Sequence, residues 1–182
     1  MRGAREARNF VSFHVGGVEY AVHVASVREV LNPGPLSAVP RAPLGVSGVT
    51  ELRGEIVAVL DLRLRFGLPA IPPTKHTKWM LIDTGRSRLA LVVDRVSGVF
   101  RADVGDERAP PPMLERDDLY RVLFVTRRAD ALVFTLDTAP FAALHDDIMG
   151  LDGVDASLSD ARRQGTQPPP PMPLQTSGDR RR

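Results

Sequence analysis

The sequence contains no cysteine. Disulfides, thiolate zinc sites, iron–sulfur clusters and a thiol nucleophile are therefore excluded. Aromatic side chains are scarce: seven Phe, two Tyr and one Trp. No apolar run approaches the ~20 residues of a membrane-spanning helix; the longest are stretches such as Ile56–Leu60 and Leu89–Val93. Nothing here predicts direct membrane insertion. The opening MRGAREARNF is charged with no apolar stretch behind it, which is not the pattern of a secretory signal. A cytoplasmic location is the expectation. Charge of one sign is not concentrated either. The 24 basic and 22 acidic residues give a net charge of +2, with a pI near 9.5. The excess lies at the ends, with three Arg against one Glu in residues 1–9 and five Arg against four Asp in 151–182, whereas 10–150 holds 16 basic and 17 acidic residues. A nucleic-acid surface wants a basic stripe on the folded part, and none is visible.

Against these absences stands an ordinary globular composition. Of 182 residues, 43% are hydrophobic and 25% charged, enough for one domain or two small ones. From about Ser157 the chain turns polar and proline-rich, with Pro168–Pro171 in a row and few large apolar residues. Such a segment cannot bury enough surface to offset the entropy of ordering. The expected division is a flexible N-terminus over 1–9, a folded region over 10–150 and a disordered tail over 151–182.

Between the ends the pattern is one of strands. Val11, Phe13 and Val15 alternate with polar residues, as do Tyr20, Val22 and Val24, and Gly16-Gly17 between them signals a hairpin. Val24, Val27, Val30 and Leu31 then recur at helical intervals, predicting a short helical turn stopped by Asn32-Pro33-Gly34-Pro35. A second hairpin runs from Val49 to Leu60 around Arg53-Gly54, and Asp61 is placed to cap a short helix carrying Leu62 and Phe66. The second half repeats this grammar. Strands are expected over Trp79–Ile82, Leu89–Val93 and Val96–Arg101, then a hairpin from Tyr120 to Leu136 and a last helix entered through Asp137, Thr138 and Pro140. Both halves end alike, in Leu60-Asp61-Leu62 and Leu136-Asp137-Thr138. About five short strands per half suit a small closed barrel. The expected fold is mostly β, two small five-stranded barrels with short helices, the first over about 10–72 plus exchanged ends and the second over about 76–145.

Chemistry-bearing motifs are missing. His14, His23, His76 and His145 have no metal-ligand spacing. His14 and His23 lie on facing strands and are candidates for cross-strand neighbours. Asp61, Asp83, Asp94 and Asp137 sit near strand ends, where an aspartate caps or turns the chain. Phe10, Phe13 and Tyr20 alternate as core residues do. No catalytic residue, metal or cofactor is expected, and the product of the fold is a surface.

The stretch GVTELRGEIVAVLDLRLRFGLP resembles the signature of the CheW family, the adaptor of bacterial chemotaxis arrays. Phe13, Gly17, Tyr20, Ala21, Val27, Glu29 and Val30 fit the family's first hairpin and its continuation, and Val39-Pro40 and Ala42-Pro43 fit its proline-bearing connection. Leu91–Val96 and Pro110–Pro112 fit the second half. The likeness spans residues 10–145. It implies two five-stranded SH3-like barrels and a non-catalytic role, coupling the cytoplasmic tip of chemoreceptors to the regulatory domain of a CheA-type histidine kinase. It further implies a receptor-facing groove between the barrels, at Val24, Val27, Glu29, Gly48, Arg53 and Val96, and kinase contacts at Ala90, Arg95 and Val99. The sequence departs from the family pattern at Ala58, where Pro is usual, at Glu51, where Asn is usual, and at Ala90 and Leu123, where Gly is usual. Loss of strand glycines bears on kinase engagement. An adaptor that binds receptors without the kinase therefore stays open, and a nucleic-acid-binding barrel protein is the remote alternative.

Overall fold

The structure is a computed structural model and describes residues 7–115 and 120–149. The expected tail at 151–182 lies outside the described residues, as do residues 1–6. The expected loose N-terminus is corrected at residues 7–9, which begin the first strand.

Ten strands form two five-stranded sheets. In chain order they are β1 (Ala7–Val15), β2 (Val18–His23), β3 (Val27–Leu31), β4 (Val46–Leu52), β5 (Glu55–Asp61), β6 (Lys78–Asp83), β7 (Arg88–Val93), β8 (Arg95–Asp103), β9 (Val122–Arg128) and β10 (Ala131–Leu136). Three α-helices, α1 (Leu62–Arg65), α2 (Pro112–Glu115) and α3 (Pro140–Met149), and two 3-10 turns, Val24–Ser26 and Val104–Asp106, accompany them among the described residues. One sheet has the order β8-β1-β2-β10-β9, and the other β3-β6-β7-β5-β4. The two orders are the same topology. Each half of the chain contributes a hairpin, a single strand and a second hairpin. Each sheet keeps the last three strands of one half and takes the first hairpin of the other.

The barrels expected at about 10–72 plus exchanged ends and about 76–145 do not coincide with the sheets, because the exchange involves a whole hairpin from each half. β1 and β2 pair with the second half's strands, and β6 and β7 with the first half's. Alternation of apolar residues specifies a strand and its faces but not its neighbour, so a reciprocal trade of hairpins leaves no mark in the pattern.

The named strands of each sheet form an open ladder whose edges are drawn together by the chain leaving the edge strand. Beyond β3, the Ser37 N–H donates to the Val49 carbonyl of β4 (2.8 Å), and Val49 returns the bond (2.9 Å). Beyond β8, Arg108 and Val125 of β9 exchange the same pair of bonds. The result is mostly β, as the pattern predicts, and consistent with the SH3-like fold that the resemblance implies; the expected closed barrels are corrected to two five-stranded sheets whose edges meet, among the described residues, only through these bridges.

Successive side chains of each strand serve two cores. Ala58 and Leu60 of β5 face a central cluster with Phe13, Val15, Met80, Ile82 and Leu91, capped by Phe141 and Ile148 of α3. Val57 and Val59 face the opposite way, onto Trp79, Leu81 and Ala90. Phe10, Ala21, Ala102 and Val133 form the matching cluster of the other sheet. Tyr20 stacks near Phe13, Phe66 and Phe134, and Phe66 touches Tyr120 at 4.3 Å between ring centres. Burial, aided by Tyr120, pushes the Tyr20 hydroxyl up to about 12. The aromatics are thus structural, as their alternation predicts.

Local chemistry explains the element ends. The Asp61 carboxylate accepts from the Arg63 N–H at 2.7 Å and caps α1. Asp137 accepts from the Ala139 N–H at 2.9 Å just before α3. One expectation fails: the helical spacing across 24–31 yields a single 3-10 turn, Val24–Ser26, and then strand β3. The β-branched valines favour the pleated surface, and pairing with β6 supplies the backbone partners that a helix would have supplied locally.

Candidate interaction surface

Glu29 lies on β3, an edge of its sheet, and Arg53 at the tip of the β4–β5 hairpin, beside the opposite edge. The hairpin loop has two residues, Arg53 and Gly54, both with positive φ (54° and 82°). This is the type I′ geometry whose twist matches the flanking strands. It aims the Arg53 guanidinium across the gap, where Nη2 donates to Glu29 Oε2 at 2.8 Å. The Arg53 side chain is 82% exposed, so the pair is a surface feature of small intrinsic strength. It stands at a depression of about 400 Å³ that also involves Leu52, Leu81 and Arg88. Beside it Arg28 bonds Asp83 at 2.6 Å, and that bond, with one from the Gly85 N–H, holds the Asp83 carboxyl below its usual range.

The apolar members of the expected receptor surface are more dispersed. Val24 lies in the 3-10 turn between the sheets, Val27 opens β3 and Val96 is near the start of β8. All three are half-buried at the margin of the central cluster. Gly48 is buried, and the backbone that approaches it is the chain's own: a Cβ there would lie 2.4 Å from the Ser37 carbonyl oxygen. Its place in the structure is the closure of the sheet.

Of the expected kinase contacts, Val99 is 63% exposed on the outer edge strand β8 and available to a partner. Arg95 is exposed and engaged with His14. Ala90 is corrected: it is fully buried against Val57, Val59, Trp79 and Leu81 and presents no surface. In a central strand, flanked by β5 and β6, a position where the family usually has glycine packs a methyl group inward.

The histidine pairing is also corrected. His23 stands opposite Phe10, and His14 opposite Glu19, because the two-residue turn fixes a register that keeps the imidazoles apart. His14 instead contacts Arg95 Nη2 through Nε2 and Ser97 Oγ through Nδ1, both at 2.9 Å. Since Arg95 can only donate, Nε2 accepts and Nδ1–H donates to Ser97, which is the neutral form. Partial burial, then the Arg95 charge, lowers the His14 pKa below 6.5. A group whose folded pKa is depressed binds fewer protons folded than unfolded. Its contribution is therefore present above pH 6.5 and lost as pH falls through the lowered value. NMR titration of the His14 ring is expected to give a midpoint below 6.5, and Arg95→Ala to raise it; a midpoint unmoved by Arg95→Ala contradicts the contact.

Lys75 and Lys78, which sequence reasoning missed, lie where the sheets meet, beside Arg95 and Val96, which it named. A cleft of about 620 Å³ is lined by Val30 and Lys78 of one sheet, Arg95 and Val96 of the other, and Lys75 and His76 of the loop between β5 and β6. The run Lys75-His76-Thr77-Lys78 was its one visible signal. Among the described residues no group of three or more His, Asp or Glu side chains could hold a metal ion, and no helix is long and apolar enough to cross a membrane.

Residues 9–143 match the model of the CheW-like domain. The chain is 30% identical over 131 residues to the "Probable chemotaxis protein CheW" of Rhizobium etli, covering 69% of this chain and 83% of that protein. It is 40% identical over 111 residues to "Protein FrzA" of Myxococcus xanthus, covering 59% and 68%. The crystal structure of the scaffolding protein TtCheW from Thermoanaerobacter tengcongensis superposes with a TM-score of 0.66 at 24% identity, over 72% of this chain and 89% of that one. The last likeness bears on the fold.

Proposed function

The chain belongs to the CheW family, and from that premise we propose that it is a chemosensory adaptor coupling the cytoplasmic tip of a chemoreceptor to the regulatory domain of a CheA-type histidine kinase. The family is non-catalytic, and no residue is assigned a catalytic role. On this reading the protein acts in the cytoplasm at receptor arrays.

The observation that carries the reading is the Glu29–Arg53 pair. Two charged residues 24 positions apart, each at a position expected to face receptor, meet on one exposed surface. Exposed pairs add little to stability, but they give register and orientation to an incoming helix. Val24, Val27 and Val96, half-buried at the margin of the central cluster, are the apolar positions of the same expected receptor surface. Val99 and Arg95 on β8 are proposed as kinase contacts, on a different strand from Glu29. Individually weak contacts of this kind gain strength when many copies are held in one array.

The test is co-sedimentation of the protein with receptor and kinase, wild type against Arg53→Glu. The substitution sets two carboxylates against each other and removes the cation. Receptor recruitment is expected to fall about tenfold, the loss of one interfacial charge pair plus the new repulsion. Recruitment equal to wild type rejects the proposed receptor surface. Receptor recruitment without kinase stimulation would select the receptor-only adaptor, which the exposed Leu123, standing where the family usually has glycine, favours.

A further inference from the structure

A groove beside the β9–β10 hairpin belongs to neither of the contact surfaces proposed above. It measures about 690 Å³ and lies between that hairpin and the segment 106–111 that follows β8. The segment is fixed in place: the Arg108 N–H donates to the Val125 carbonyl (2.9 Å) and the Val125 N–H donates back (2.8 Å). Leu132, 50% exposed, half-buried Phe134 and exposed Pro111 give the groove its apolar atoms, and exposed Arg108 and Arg127 its cations. Asp106 also lines it, so it is not a concentrated anion site. A guanidinium carries five N–H donors and no acceptor. Arg108 Nη1 already donates to two main-chain carbonyls, those of Gly105 (2.8 Å) and Glu107 (3.0 Å). The complement of such a groove is a segment with apolar side chains and main-chain acceptors.

We propose that the occupant is the chain's own segment Pro168–Leu174, PPPPMPL, held in the groove as an internal latch. Prolines bring carbonyl acceptors and no N–H, which suits donors that face them. A segment of other residues would add N–H groups to be satisfied. A proline run is also extended before it binds, so docking costs it little entropy. Met172 and Leu174 are the only large apolar side chains other than proline after Leu158, and they end the run. They lie against Leu132 and Phe134. Residues 150–167 separate α3 from Pro168. That stretch can span roughly 60 Å, whereas a domain of this size has a radius of gyration of about 14 Å. The tether gives an effective concentration on the order of 1 mM, so a contact of similar intrinsic affinity is filled about half the time. An untethered proline segment of equal affinity has no such advantage.

The lack of cysteine makes the test direct, because Gln175→Cys in the full chain gives a single thiol for a nitroxide label. In amide NMR spectra the signals of Arg108, Leu132 and Phe134 are expected to fall to about half or less, in line with the filled fraction, and to recover when the nitroxide is reduced. Those of Trp79 and Leu81, in the core of the other sheet, are expected to keep their intensity. Two further changes are each expected to restore the Arg108 and Phe134 signals with the circular dichroism spectrum unchanged. One is Met172→Ser/Leu174→Ser, outside the described residues, and the other is Leu132→Glu, at an exposed position. No broadening, uniform broadening, or broadening of the groove that survives either change overturns the proposal. A mixture of the nitroxide chain with an isotope-labelled chain free of nitroxide separates the sources. The labelled chain's groove signals are expected to stay intact; their loss would assign the groove to the segment of a second copy and overturn the internal latch. The Arg53→Glu assay is independent, since neither the groove nor the label involves the receptor surface.

Discussion

Gly48→Ala is expected to lower the unfolding free energy by about 3 kcal/mol, an effect large for a single methyl group. Two costs coincide at this position. The backbone has φ +148°, a region that L residues rarely adopt, and the added Cβ would lie 2.4 Å from the Ser37 oxygen and 3.3 Å from the Ser37 carbonyl carbon. Neither atom is the end of a flexible side chain. The Ser37 carbonyl is the acceptor of the Val49 N–H, and the Ser37 N–H donates back to Val49. Moving Ser37 away therefore breaks the two bonds that close the sheet, and with them the nearby bond from Thr50 Oγ1 to the Pro35 carbonyl. Gly17→Ala is the control. It also has a positive φ (85°), but a Cβ there meets nothing within 4 Å, so only the conformational cost of ~1–2 kcal/mol applies. Chemical denaturation of both variants measures the difference. Equal losses would show that the close approach of Ser37 carries no energy of its own.

Asp94→Ala is expected to cost about 2–4 kcal/mol. Asp94 is the single residue between β7 of one sheet and β8 of the other. Its Oδ2 accepts from the Gly16 N–H of the β1–β2 turn at 2.8 Å and from Arg63 Nη1 of α1 at 2.7 Å, while its own N–H donates to the His14 carbonyl at 2.9 Å. One carboxylate thus fastens the exchanged hairpin to the helix that ends the opposite sheet. The Arg63 side chain is 17% exposed, and without Asp94 its charge is left among protein atoms with only the Pro69 carbonyl. Asp94→Asn, which retains one acceptor oxygen, is expected to lose about half as much. A double-mutant cycle with Arg63→Met isolates the pair, with a coupling of ~1–2 kcal/mol expected. A coupling within error of zero would remove the ion pair from the account and leave the Gly16 bond alone.

These two residues differ in how far the sequence announced them. Gly48 was visible as a site residue only through the family resemblance, and the structure gives it an internal partner instead. Asp94 was legible as a strand-end aspartate, but not as the tie between two sheets, because Gly16 and Arg63 are far from it in the chain. Features with local causes were read correctly. The Asp61 cap, the Gly16-Gly17 and Arg53-Gly54 turns and the alternating strands each depend on residues within a few positions of one another. Val27–Leu31 was misread as helical because an edge strand beside a turn shows no clean alternation. Ala90 was misplaced on a surface because a small residue in a strand looks the same whether buried or exposed.

The sequence by itself determined the mostly β architecture, the absence of thiol chemistry, the two similar halves and the family. The first three follow from composition and short-range periodicity, and the family from the resemblance of the stretch at 48–69 to its signature. Only the tertiary structure decided which hairpin joins which sheet, that Glu29 meets Arg53, and that Lys75, Lys78 and Arg95 share one cleft. The physical reason is that strand pairing is made by backbone groups common to every residue, so the pattern of side chains names the faces of a strand and leaves its neighbours to the packing of the whole.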